Sequence, residues 1–284
     1  MLDSASDRPP GADTRRQTPM AGDRTTMKPL AAASLVLCAL LAGCGRESNT
    51  ASPVKAPGAP ETARTQALEA GAVALQNKPP IDAINAYLDG FHFYNGRMGE
   101  QMEAHHYCAN LNEDVTQCVI YDGNARDAKI MGVEYIVSAK LFSTLPPEEK
   151  ALWHSHVHEV KSGQLVAPGI PEVAEKELMR KLVGTYGKTW HTWHTDQGKN
   201  LPLGMPQLMM GFTADGQHDP AMVAARDRRI GVDSAARRKA REDIAAPAID
   251  PGADAWQKGK VVQIPDPTGG HHAQAGTAAS SAPR

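Results

Sequence analysis

Long apolar runs, aromatic side chains and an excess of either charge are all scarce in this chain of 284 residues. The longest apolar run, Leu30 to Ala42, is too short to cross a bilayer core of about 30 Å as a helix. Aromatic residues make up 5% of the sequence and mean hydropathy is negative, so the bulk of the chain faces water. Thirty Lys and Arg nearly balance 32 Asp and Glu, and beyond Cys44 the counts are 25 and 28. That balance gives no reason to expect nucleic acid or a strongly anionic partner. Several chemical signatures are also missing. There is no H-E-x-x-H, no paired C-x-x-C and no G-x-S-x-G elbow. Gly187-Lys188-Thr189 has the end of a phosphate-binding loop, but Leu182 stands where that loop needs glycine and a helix precedes it. Asp215 to Asp219 lacks the rest of a calcium loop and reads as a turn. No internal repeat and no βαβ alternation is present.

What is there begins with an export signal. Met27-Lys28, the apolar run and the tetrapeptide Leu41-Ala42-Gly43-Cys44 have the order of a secretory signal peptide. The tetrapeptide resembles the bacterial lipobox, whose cysteine is acylated and becomes the mature N-terminus. Residues 27–43 are therefore read as a lipoprotein signal peptide and Cys44 as the lipidation site. The first 26 residues are rich in Asp, Arg, Pro and Thr and read as a non-native upstream extension. No apolar residues closely follow Arg15-Arg16, which argues against twin-arginine export. Gly45 after the cysteine favours the outer membrane, facing the periplasm. The expected partner is thus a membrane in the cell envelope, held through a lipid anchor.

Residues 44–78 read as the lipidated cysteine and a flexible tether of Pro, Ala, Ser, Thr and Gly, with a helix from Thr65 to Gln76. A single globular domain is expected over 79–262 and a disordered tail over 263–284, including His271 and His272. Ile81, Ile84, Leu88 and Phe91 have helical spacing. Gln101 to Cys108 and Gln117 to Asp122 read as a hairpin, with Lys129 to Tyr135 as a third strand. A helix at Pro146 to Glu149, a hairpin through Trp153–Val160 and Gln164–Ala167, a helix over Glu172–Thr185 and strands at Lys188–Thr195 and Gln207–Phe212 follow. The fold class is α+β: an antiparallel sheet with packed helices. The hairpin centred on Glu113 puts His106 opposite Ile120 and Cys108 opposite Cys118, where an oxidising envelope would allow a disulfide. The basic stretch Arg226, Arg228, Arg229, Arg237, Arg238, Lys239 and Arg241 reads as a solvated helical face, with anionic-lipid contact as the sharper alternative.

Longer words of sequence resemble the oil body-associated protein family. They include Phe91-His92-Phe93-Tyr94, Glu103-Ala104-His105-His106-Tyr107-Cys108 and Gln117-Cys118-Val119-Ile120-Tyr121-Asp122. Others are Leu152-Trp153-His154-Ser155-His156, Tyr186-Gly187-Lys188-Thr189-Trp190-His191 and Pro206-Gln207-Leu208-Met209-Met210. The likeness runs from about Pro79 to Trp256. It implies a domain family with no assigned activity and no catalytic residues to carry over; plant members are associated with seed oil bodies. The export signal and anchor depart from the plant pattern and point away from oil storage, while a role at an apolar interface stays compatible.

Histidines carry the remaining chemical signal. On one strand His154, His156 and His158 would share a face, and two imidazoles so spaced can bind one ion at about 2.0–2.1 Å. His105 or His106, Glu134, His191 and His194, on neighbouring expected strands, would complete the shell of a transition metal such as zinc. The competing account is a set of half-buried, hydrogen-bonded sheet histidines. The reading reached is a membrane-anchored binding or interface module of unknown ligand, not an enzyme; the alternative is a metal-dependent enzyme using the histidine face.

Overall fold

A computed structural model describes residues 49–267. The leader, Cys44, His271 and His272 lie outside the described residues. Seven strands are present among them: β1 Ala86–Tyr94, β2 Arg97–Asn110, β3 Val115–Tyr121, β4 Ile130–Ser138, β5 His154–Ser155, β6 Thr185–His191 and β7 Gln207–Met210. The helices are α1 Ala63–Leu75, α2 Pro79–Asp82, α3 Ala139–Ser143, α4 Pro147–Lys150, α5 Val157–Lys161, α6 Glu172–Leu182, α7 Pro220–Ile230 and α8 Ser234–Ala240. None of the helices among the described residues is long and apolar enough to cross a membrane.

The strands run in the order β4-β3-β2-β1-β7-β6, every pairing antiparallel, and β6 then pairs back onto β4. The sheet therefore closes, and the expected α+β sheet with packed helices is corrected to a six-stranded antiparallel β-barrel with short helices. Strand alternation looks the same in an open and a closed sheet. At the closing seam β4 and β6 approach so tightly that a Cβ on Gly132 would stand 2.0 Å from the Trp190 carbonyl oxygen. The helix expected from Ile81 to Phe91 is also corrected. Only α2 is helical, and β1 takes over from Ala86. Seven consecutive β1 residues are buried, because the barrel core covers one face and helix α7 the other. Such a strand loses the period-two signature.

Register decides what points inward. Leu88 pairs with His106, His106 with Ile120, Cys108 with Cys118, Cys118 with Glu134 and Glu134 with Thr189, so all share the inner face. Cys108 and Cys118 are joined as a disulfide, S–S 2.02 Å. A barrel of six strands is narrower than the eight-stranded kind that side chains just fill, so its interior is solid. Two apolar layers fill it. One holds Tyr94, Met102, Ala104, Ile120, Met131 and Met209. The other holds Leu88, Cys108, Cys118 and Ile136, and is closed off by Met179, Leu182 and Val183 of α6 and its C-terminal end. A layer of histidines and one carboxylate lies between them.

The hairpin expected through Trp153–Val160 and Gln164–Ala167 is replaced by a two-residue strand and helix α5. β7 pairs with β6 at Thr189–His191, which leaves only Tyr186 and Gly187 for β5. With no further edge to pair with, the chain turns into a helix at His156. The basic stretch is not a solvated face throughout. Arg226 and Arg241 are buried, the first on Asp89 (2.5 Å) and the second on the carbonyls of Val160 and Leu165 (2.9 and 2.8 Å). They fasten α7 and α8 to the barrel. At the N-terminal side, Thr50 and Ser52 are hydrogen-bonded to Asn124 and Asp122, at 2.6 and 2.8 Å.

Helix α7 is preceded by His218, packed edge-on to Phe91 and against Phe212, each at 4.4 Å between ring centroids. Burial lowers its pKa to about 4. The native ring stays neutral where the unfolded one, titrating near 6.5, takes up a proton. The unfolded state thus binds more protons below pH 6.5, and stability falls as pH drops from there towards 4, by about 3 kcal/mol from this residue. Urea unfolding at pH 7 and pH 4 checks this: His218→Gln should lose less stability on acidification than the parent.

Candidate functional site

The polar layer centres on Glu134. Its Oε2 lies 2.9 Å from His106 Nε2 and 3.9 Å from His92 Nε2. Its Oε1 lies 3.2 Å from His156 Nε2 and 3.5 Å from His154 Nε2. His92 and His106 meet through their Nε2 atoms at 3.3 Å. Glu159, from α5, brings Oε2 to 3.9 Å from His156 Nε2. All of these side chains are buried. β1, β2 and β4 supply His92, His106 and Glu134 as inward-facing residues. His154 sits on β5 and His156 on the first residue beyond it. Between them Ser155 faces outward, held by Asp254 through its backbone N–H (3.0 Å) and its hydroxyl (2.6 Å), which fixes the two imidazoles on the inner side.

Outer hydrogen bonds settle which ring nitrogens face inward bare. His106 Nδ1 is 3.1 Å from the Ala104 carbonyl, which can only accept, so Nδ1 carries the proton. The Thr185 hydroxyl donates to the Leu182 carbonyl at 2.7 Å and so accepts from His156 Nδ1 at 2.8 Å. Both rings therefore aim an Nε2 lone pair at a carboxylate oxygen. That contact needs either a second proton on each ring or a cation between them. His154 has no hydrogen-bond partner at either nitrogen, although the ring is fully buried. A neutral imidazole braced by an outer acceptor and pointing its other nitrogen into a shared space is how metal-binding histidines are held.

The charges of the cluster favour protons on the rings beside an ionised Glu134. Burial alone would raise the Glu134 pKa, but the close imidazoles of His106, His154 and His156 hold it well below the ordinary carboxylate range. His106 and His154 are raised: burial opposes their charging and Glu134 more than compensates. His92 goes the other way, lowered by burial and by its neighbour His106. Glu159 is raised by burial.

The other expected ligands fall elsewhere. His191 lies beside the cluster, its Nε2 3.4 Å from His92 Nδ1, and burial lowers its pKa to about 3. His194 meets the Tyr94 hydroxyl at 3.1 Å. His158 turns away on α5, 3.9 Å from Asp215. His105 faces the outside of β2, with Asp89 and Glu103 each at 3.2 Å. That second acidic group is already filled by Arg226 on Asp89 and Arg229 on Glu103. It is an ion-pair network rather than a vacant ligand set. Sequence reasoning missed His92 and Glu159. Had Phe91-His92-Phe93-Tyr94 been read as a strand, its parity with His106 would have exposed the first.

Comparison with known proteins agrees with the oil body-associated likeness. Residues 78–245 match the family described as Protein of unknown function (DUF1264). Oil body-associated protein 1A of Zea mays is 45% identical over 213 residues, covering 74% of this chain and 90% of the relative. Oil body-associated protein 1B of Arabidopsis thaliana is 42% identical over 219 residues, covering 76% and 91%. Oil body-associated protein 2C of Arabidopsis thaliana is 38% identical over 224 residues, covering 77% and 94%. No solved structure matches this chain. On the span of the match and the identity to its relatives, the chain belongs to the DUF1264 family, alongside the oil body-associated proteins.

Proposed function

We propose that this protein is a metal-binding module, in which His92, His106, Glu134, His154 and His156 hold a transition metal inside the barrel, and that it is carried at the cell envelope on a lipid anchor at Cys44. The observation behind the metal is the pair of braced imidazoles, His106 and His156, whose bare nitrogens converge on one buried carboxylate. Imidazole with carboxylate suits zinc, iron, manganese, nickel or copper rather than calcium or magnesium. A bound ion would supply positive charge to that centre, and the outer acceptors Ala104 and Thr185 would keep the rings oriented for it. The anchor is supported by the signal peptide ending in Leu41-Ala42-Gly43-Cys44. Being buried and nearly full, the site suits tight binding of an ion; no reaction is assigned to it.

Elemental analysis of the purified chain, after loading with zinc, manganese or iron and gel filtration, tests the metal. The parent should retain metal, and His106→Ala with Glu134→Gln should lose it while keeping the β-rich circular dichroism of the parent. A parent that retains none of the three overturns the reading. For the anchor, mass spectrometry of envelope-derived protein should find an acylated Cys44 at the N-terminus; an intact Leu30–Ala42 segment would refute it.

A further inference from the structure

Resting on the metal-binding reading, we infer that the cluster holds two metal ions and that Glu134 bridges them. The ligand atoms gather into two triads that share this one carboxylate, His92, His106 and Glu134 in one, Glu134, His154 and His156 in the other, each within 4.8 Å. The two carboxylate oxygens are divided between them. Oε2 serves His106 and His92, and Oε1 serves His156 and His154. A single ion with bonds of about 2.0–2.1 Å cannot have ligand atoms more than about 4.2 Å apart, which crowds four imidazoles and a carboxylate around one point. Two ions about 3.5–4 Å apart, one on each oxygen, use every ligand from the side it already faces.

The surroundings of the cluster are tight. At Gly187 the β6 backbone presses on the second triad: a Cβ there would lie 2.0 Å from Glu134 Oε1 and 2.8 Å from the Nε2 atoms of both His154 and His156. Only glycine lets these three ligand atoms converge so close to the backbone. A cavity of about 10 Å³, room for one water-sized species, borders His92, His106, Glu134 and His156 under Leu88, Ile136, Leu165 and Leu182. Glu159 reaches the same cavity with a buried Oε2 that has no hydrogen-bond partner, a second carboxylate against the added positive charge.

The test is manganese loading of the chelator-stripped full chain, read by metal content and by electron paramagnetic resonance. Two ions per chain with an exchange-coupled, multiline signal are expected. His92→Ala with His106→Ala, and separately His154→Ala with His156→Ala, should each reduce the content to one ion with an isolated six-line signal. One ion in the parent, or two that are uncoupled, overturns the bridge and leaves the metal-binding reading standing. No ion in the parent removes both. The parent measurement decides the matter even where a double variant fails to fold.

Discussion

Gly187→Ala should leave a barrel that no longer retains metal. Its β6 conformation is open to any residue, since it is not among the positive-φ glycines, so the backbone is not what alanine offends. The new methyl carbon would lie 2.0 Å from Glu134 Oε1 and 2.8 Å from two imidazole nitrogens, and must push the carboxylate and imidazoles aside. Overpacking of this kind costs about 1–3 kcal/mol, so the fold should survive with a lower midpoint in urea. Gly99→Ala, where the added carbon meets nothing within 4 Å, is the control and should bind as the parent does. Retention of a full metal complement by Gly187→Ala would show that the ligands do not work from the positions described.

The largest loss of stability is expected from Arg226→Met. The guanidinium is fully buried and serves Asp89 at 2.5 Å, Asp227 at 2.8 Å, the Gln164 carbonyl at 2.9 Å and the Ser234 hydroxyl at 3.0 Å. Methionine fills much of the volume but leaves the Asp89 carboxylate buried without its cation. Breaking a buried pair from one side costs about 3–5 kcal/mol, most of it the penalty on the charge left behind. Arg226→Met combined with Asp89→Leu should recover a large part of that loss. Equilibrium urea unfolding reads both, and two variants of equal stability would mean that the pair, rather than the orphaned charge, carries the energy.

How much of this was legible depended on distance along the chain. The β2–β3 hairpin was readable to the residue, because one short turn fixes its register: His106 opposite Ile120 and Cys108 opposite Cys118. Glu134, His154 and His156 were within reach on residue type and spacing alone. The choice between His105 and His106 needed β4 to be registered on β3. Glu134 pairs with Cys118, which fixes the inward parity on His106 and sends His105 outside to Asp89. Closure was beyond local pattern, since it rests on β4 meeting β6 about fifty residues later. His92 was hidden for another reason. A strand buried on both faces offers no alternation, and the apolar spacing from Ile81 to Phe91 imitates a helix.

The solid barrel has a kinetic consequence. The histidine layer lies between an apolar floor and a lid built from Leu165, Met179, Leu182 and Val183. Metal sites at a surface exchange their ions at rates set by the making and breaking of ligand bonds. An ion held here would leave only when α6 or α5 lifts from the barrel end, so its residence time would follow the opening of that segment. Loading would then be easiest while the chain is still folding, before the lid closes, and whichever ion is present at that moment would be the one retained.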